Sequence, residues 1–361
     1  MGLLPSPTER VDLDGVPAQV DAVLDDFLSV KSKAATNNRM PAEVTEVLHD
    51  FLFAGGKRLR PVLCVAGWHA ADGGGDLLPV VRVAASLEMF HAFCLIHDDV
   101  MDHSDVRRGQ PTLHRALAHH HMDGRGGAAA EILGEGAAIL VGDLALAWSD
   151  ELLHTAGLTP GQAGRIMPLI AAMRAEVMYG QYLDLTATGR PTADLDQVLR
   201  IARYKAARYT VERPLHIGAA LAGADTALLA VLSKFALPVG EAFQLRDDLL
   251  GIFGDPLRTG KPHLDDLREG KATALMALAL RSAGPAQRSL LSRMVGDPHL
   301  KEADAARIRG ILISSGARDE VERMIRQRLE AAELALAEAS LPAAVAVLLR
   351  QLGQDATARA S

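Results

Sequence analysis

Two short acidic runs carry the strongest chemical signal in the chain. The first is His97-Asp98-Asp99-Val100-Met101-Asp102, in which Asp98 and Asp102 stand four residues apart. On a helix that spacing brings their oxygens together one turn apart on a single face. The second is Gln244-Leu245-Arg246-Asp247-Asp248-Leu249-Leu250-Gly251, continuing to Asp255. There Gln244, Asp247 and Gly251 share a helical stripe, and the glycine is expected to leave room for a bulky ligand. Hard carboxylate oxygens without Cys, and with His only at the margin, favour Mg2+ over Zn2+. Mg2+ is characteristically shared between carboxylates and phosphate oxygens. Two such runs facing each other across a bundle would therefore suit metal ions gripping one diphosphate.

Cations flank both runs. Gly55-Gly56-Lys57-Arg58-Leu59-Arg60 places a flexible glycine pair before three positive charges, and Arg107-Arg108 follows the first acidic run. Lys205, Lys261 and Lys271 lie in separate short motifs further along. Arginine grips phosphate oxygens bidentately and lysine acts as a point charge, so these groups suit compact anions. The net charge of −7 and the lack of any sustained basic stripe argue against a nucleic-acid partner.

These residues must be held by helices. Val80, Ala84, Leu87, His91, Leu95, Asp98 and Asp102 recur at spacings of three or four, predicting one helix whose inward face begins apolar and ends acidic. Elsewhere Ala/Leu-rich intervals alternate with Gly/Pro/Asp punctuation such as Asp72-Gly73-Gly74-Gly75-Asp76, and strand-like alternation is scarce. The expected fold class is all-α. Residues 1–20 read as a loose, Pro-rich leader and residues 21–361 as a single domain. The 49% hydrophobic content suffices for a sizeable core. Cys64 and Cys94 have neither disulfide-framework nor zinc spacing. No uninterrupted apolar run approaches the ~18 residues of a membrane span and no signal-peptide layout is present, so a cytoplasmic location without membrane insertion is expected.

The ordered stretches GGKRLRP (55–61), LEMFHAFCLIHDDVMDHSDVRRGQP (87–111), GDLAL (142–146), GQYLDL (180–185), YKAARYT (204–210), FQLRDDLLGIFGD (243–255) and TGKP with EGK (259–271) resemble the trans-isoprenyl diphosphate synthases of the polyprenyl synthetase family. The resemblance implies a large helical bundle around a central cavity, of the isoprenoid-synthase type. It implies Mg2+, three ions per site with substrate bound, and a homodimer. Isopentenyl diphosphate would be held by Lys57, Arg60 and His91, joined by Arg108. Asp98, Asp102 and Asp247 would ligate Mg2+, with Asp99 and Asp248 beside them. Arg107, Lys205, Gln244 and Lys261 would meet the allylic diphosphate, Lys271 assisting, and Arg107, Lys205 and Gln244 would be catalytic. The implied reaction is ionisation, condensation and elimination, with the proton leaving to the released diphosphate. The family's usual Lys-Thr is Lys205-Ala206 here, which removes one hydroxyl from the cation-stabilising set.

Product length should depend on Cys94, Phe93 and Phe90, at four, five and eight residues before Asp98. An aromatic at Phe93 without a second adjacent aromatic resembles the archaeal-type geranylgeranyl pattern, so a C20 product is expected, with farnesyl (C15) as the alternative. On a helical wheel Phe93 nevertheless lies about 140° from Asp98, whereas Phe90 and Cys94 point closer to the acidic face. A terpene cyclase would need an aromatic-rich cavity, and aromatics are only 4%. A non-catalytic subunit of a heteromeric synthase should show degraded acidic runs, and both are intact.

Overall fold

The computed structural model describes residues 13–124, 126–255 and 264–357. Helices dominate it: α1 (Val16–Asn37), α2 (Glu43–Phe53), α3 (Leu59–Ala70), α4 (Leu78–Met101), α5 (Leu113–His120), α6 (Gly127–His154) and α7 (Pro160–Ala187). There follow α8 (Leu195–Ile201), a π-helical segment (Ala202–Glu212), α9 (Arg213–Ala222), α10 (Thr226–Phe253), α11 (Asp265–Glu269), α12 (Ala274–Ser282), α13 (Pro285–Met294), α14 (Glu302–Ser314), α15 (Ala317–Glu338) and α16 (Ala343–Thr357). Among the described residues the only sheet is a hairpin pairing Val106–Arg107 with Gln110–Pro111. The all-α expectation holds.

Local chemistry sets many of the helix ends. Thr159 and Gln162 form a reciprocal capping box ahead of Pro160, and the Asp225 carboxylate accepts from the Leu228 N–H to start α10. Such caps satisfy N–H groups that have no partner within the helix. Helix α1 begins at Val16, so the last five residues of the expected leader are helical. Val16 and Val20 are fully buried against the core, and that burial draws the segment in.

Helix α4 is apolar nearly all round and packs against α1, α3 and α6. A helix with no polar face belongs in a core. Although neither holds an uninterrupted apolar run of that length, α4 and α10 are each long and apolar enough by average hydropathy to cross a membrane. In α4, however, 72% of the apolar window is already buried inside the protein, and in α10 39%. Helix α10 joins two apolar clusters. Its first half, with Leu232, Phe235 and Val239, packs into the core built on α1–α9. Its second half, with Leu245, Leu249 and Ile252, packs with α11–α15.

Helix α15 braces α10 by charge as well as packing. Arg246 makes a two-pronged ion pair with Glu322, at 2.6 and 2.8 Å, and Arg328 reaches Glu241 at 2.9 Å. The C-terminal region, which carries no readable motif, thus holds in place the helix bearing Gln244, Asp247 and Asp248.

The π-helical segment is clamped from two sides. A Cβ on Gly180 of α7 would lie 2.5 Å from the Lys205 backbone nitrogen, and one on Gly240 of α10 would lie 2.4 Å from the Ala207 Cα. Only glycine permits both approaches, and together they seat Lys205 between α4 and α7.

Candidate active site

At the C-terminal end of α4, Asp98 and Asp102 belong to one acidic cluster. The Lys205 ammonium donates to Asp98 Oδ1 at 3.2 Å and to Asp184 Oδ2 of α7 at 2.6 Å. The Lys271 ammonium sits 3.5 Å from Asp102, 3.4 Å from Asp266 and 3.1 Å from Glu269. Gln244 donates to Asp248 Oδ1 at 2.8 Å within α10. Asp266 closes the circuit, because a Cβ on Gly251 would lie only 1.8 Å from its Oδ2. The space left by Gly251 is therefore filled by a carboxylate, not kept open for a ligand as the sequence suggested. The two acidic runs are joined through Lys271 and Asp266.

The charges are unevenly matched. Burial by itself would raise Asp98, but Lys205, Lys271 and Arg107 outweigh it and hold the group at about 2. Burial raises Asp102, helped by repulsion from Asp98 and only partly offset by Lys271. Asp248 is pushed up to about 7, first by burial and then by Asp266, Asp247 and Asp184, against the Gln244 hydrogen bond. Glu269 also rises to about 7 through burial, against the pull of Lys271. Burial would lower both lysines, yet the surrounding carboxylates raise Lys205 and hold Lys271 well above the usual range. Carboxylates exceed ammonium groups here, and protonation is one way to relieve the excess.

Asp99 differs from its neighbours. Its side chain is 1% exposed and accepts three contacts of 2.7–2.9 Å from Arg107 Nε and Nη2. It thus orients Arg107 from its place beside Asp98. Arg107 Nη2 also lies 3.7 Å from Asp98.

Two turns earlier on α4 the surroundings change sign. His91 Nδ1 lies 3.1 Å from the Tyr209 hydroxyl. Its imidazole is held neutral well below the ordinary range, by burial first and then by Arg60, Arg107, Arg108 and Arg58. Arg60 donates to Thr210 at 2.7 Å and lies over the Tyr209 ring at 4.3 Å, while its Nε is buried without a hydrogen-bond partner. Arg108 donates to the Gly55 carbonyl. A small pocket is lined by Phe51, Arg58, Glu88, His91, Leu95 and Arg108. Lys57, next to Arg58 in sequence, is exposed.

Arg58, given no role from the sequence, is the anchor of this half. It is 5% exposed, with φ +48°, and donates to Asp21 at 2.7 Å, Glu88 at 2.9 Å and the Leu52 carbonyl at 2.8 Å. These bonds consume its charge and fix the loop that presents Lys57 and Arg60. Asp184, Tyr209, Asp266 and Glu269 also went unassigned. Asp184 and Tyr209 lie inside the GQYLDL and YKAARYT stretches and so had a local signal. Glu269 opens the EGK motif and had one too, whereas Asp266 had none beyond its charge. Lys261 lies outside the described residues.

Phe90 is buried, its ring 5.3 Å from Phe93 and 6.0 Å from Tyr209, with the Arg174 guanidinium 5.2 Å away on α7. Phe93 packs edge-on to His97 at 4.7 Å. Burial pushes the Cys94 thiol up to about 12, beside the Tyr209 hydroxyl, so it is a packing group rather than a nucleophile.

Helical packing and site together define the class of fold: all-α, of the isoprenoid-synthase type. The solved structure of geranylgeranyl pyrophosphate synthase from Corynebacterium glutamicum, complexed with isoprenyl diphosphate and magnesium, superposes with a TM-score of 0.92 at 38% identity, covering 97% of this chain and all of that one. The polyprenyl synthetase family profile matches residues 41–312, and the chain belongs to that family. Geranylfarnesyl diphosphate synthase of Aeropyrum pernix is 34% identical over 282 residues, 77% of this chain and 82% of that one. Geranylgeranyl diphosphate synthase of Mycobacterium tuberculosis is 34% identical over 285 residues, 79% and 75% respectively.

Proposed function

We propose that this short-chain prenyltransferase condenses isopentenyl diphosphate with an allylic diphosphate and releases a C20 product. One observation carries the reading. A single helix, α4, holds His91 among arginines and, two turns on, Asp98 and Asp102 among carboxylates and lysines. Two diphosphates of different coordination would thereby be held side by side, an arrangement worth a large proximity advantage.

The donor set fits Mg2+, being all oxygen and more negative than Lys205 and Lys271 neutralise. Asp98, Asp102, Asp247 and Asp248 would hold the ions, three with substrate bound. When bound, Mg2+ supplies positive charge to the diphosphate as the allylic C–O bond weakens. Lys205, poised between Asp98 and Asp184, would turn its ammonium to the leaving diphosphate, and Lys271 would do so from the far side. Asp99 would hold Arg107 in register toward the same group. Arg60, Arg108 and Lys57 would bind the isopentenyl diphosphate, with neutral His91 donating a hydrogen bond. Fixed donors aimed at developing charge in a buried site are commonly the largest catalytic contribution. Ala206 supplies no hydroxyl, and the nearby Thr210 hydroxyl is already engaged by Arg60.

The C20 assignment is supported by the bulk of Phe90 and Phe93, buried and packed together on the turns of α4 before Asp98; a farnesyl product is the alternative. We further propose that residues 21–361 act as one unit, located in the cytoplasm and paired as a homodimer. Pairing is supported by the exposed Ile132, Ile139 and Leu140 on α6 and Met178, Tyr179 and Tyr182 on α7. The decisive experiment offers isopentenyl diphosphate, Mg2+ and each of the C5, C10 and C15 allylic diphosphates, and reads product length by chromatography. A C20 product is expected. No product from any starter would instead indicate a non-catalytic subunit.

A further inference from the structure

We propose that Glu43, His120 and His121 form a second metal site, for one divalent ion of the zinc class, separate from the acidic cavity. Glu43 opens α2, while His120 ends α5 and His121 caps it. Their donor atoms all lie within 4.8 Å of one another. His121 Nε2 is 3.0 Å and His120 Nε2 3.6 Å from the same oxygen, Glu43 Oε1. The two imidazole rings stand almost perpendicular, at 84° with centroids 5.0 Å apart, so both nitrogens can address one point.

The donor separations match those of a metal cradle. Zn–N and Zn–O bonds of about 2.0–2.2 Å put neighbouring donors of a tetrahedral ion roughly 3.3 Å apart. The separations of 3.0 and 3.6 Å bracket that value, whereas 3.6 Å is too long for a hydrogen bond. Glu43 Oε1 is moreover buried and makes no hydrogen bond. The other oxygen, Oε2, meets His121 Nε2 at 3.1 Å in a hydrogen bond that a metal ion would replace, and the buried Oε1 facing both imidazole nitrogens is the position a cation would complete. Two neutral imidazoles and one carboxylate suit Zn2+, Co2+, Ni2+ or Cu2+, not Mg2+, and a water would take the fourth position.

The placement gives such an ion a consequence. Helix α2 leads into the loop carrying Lys57, which runs into Arg60 at the start of α3, and α5 follows the hairpin carrying Arg107 and Arg108. Arg108 already donates to the Gly55 carbonyl across this junction. A metal at Glu43, His120 and His121 would tie the same two segments together at their other ends.

The test uses tag-free full-length protein stripped of metal, titrated with Co2+ in excess Mg2+. The wild type should develop strong visible d–d absorption saturating at one equivalent, bleached by Zn2+, and Zn2+ should raise its thermal midpoint. His121→Ala and Glu43→Gln should each weaken binding by about 100-fold or more, since even an outer-shell partner is worth about 10–100-fold. Exposed His119, in the same histidine run, is the control, and His119→Ala should bind as the wild type does. Circular dichroism of the metal-free variants separates lost ligands from lost fold. Unchanged Co2+ binding in the two ligand variants would overturn the site. So would equal weakening in His119→Ala, or a wild type giving only the faint absorption of an all-oxygen site.

Discussion

Arg58 shows how much a single side chain can position without touching substrate. Its three bonds to Asp21, Glu88 and the Leu52 carbonyl engage all three of its nitrogens inside the protein, and they set the loop that offers Lys57 and Arg60. Glu88→Gln should therefore destabilise the fold by about 1–3 kcal/mol, the cost of weakening a buried charged hydrogen bond. Its kinetic signature should be a several-fold rise in the KM for isopentenyl diphosphate with a smaller change in kcat. An equal fall in kcat and kcat/KM would place Glu88 in the chemistry instead. Phe90 and Phe93 act at the same scale by volume. Changing both to Ala should lengthen the product by at least one C5 unit. Unchanged product length would remove them from the floor of the cavity.

At the scale of elements, the acidic cavity depends on how α10 and α11 meet. Gly251 allows the Asp266 carboxylate to lie against α10, and Asp266 then holds Lys271 toward Asp102. Gly251→Ala must push that carboxylate away, and overpacking of this kind costs about 1–3 kcal/mol. Activity should fall more than stability does, since Lys271 loses one of its anchors; a thermal midpoint alongside kcat separates the two. The π-helical segment works similarly, because Gly180 and Gly240 let α7 and α10 close on it and aim Lys205 between Asp98 and Asp184. Segments of this kind are rare and concentrate at functional sites. Helical periodicity could not reveal it, since Ala202–Glu212 reads in sequence as an ordinary continuation of α8.

The whole molecule adds assembly and response to acid. If α6 and α7 form the subunit interface, Leu140→Asp should yield monomers in sedimentation while leaving the helical content intact. A dimer persisting in that variant would relocate the interface. His216 lies far from the acidic cavity and donates to the Leu229 carbonyl at 3.0 Å, with Ser233 beside it. Burial lowers its pKa below the ordinary 6.5, against the pull of Glu212. On acidification the unfolded chain takes up this proton first, so the contribution is present above about pH 6.5 and lost as pH falls through the folded value. Asp248 and Glu269, raised to about 7 by burial, take up protons on folding and act in the opposite sense, so the share of His216 is read by difference: as pH falls below about 6.5, the thermal midpoint of His216→Gln should rise relative to that of the wild type. His91 and His114, lowered for the same primary reason, act in the same sense as His216.

The sequence by itself determined the helices, the chemistry of the acidic runs and the order of the motifs. These are local matters: apolar spacing, carboxylates four apart, glycines beside cations. Tertiary structure alone decided which groups meet. Lys205 finds Asp98 across 107 residues, and Asp184 and Asp266 complete a cavity in which they were not expected. Asp99 was legible as an acid, but its surrender to Arg107 was not. A side chain's type fixes what it can bind; its partner is settled by which helices lie close enough, and that depends on packing distributed along the whole chain.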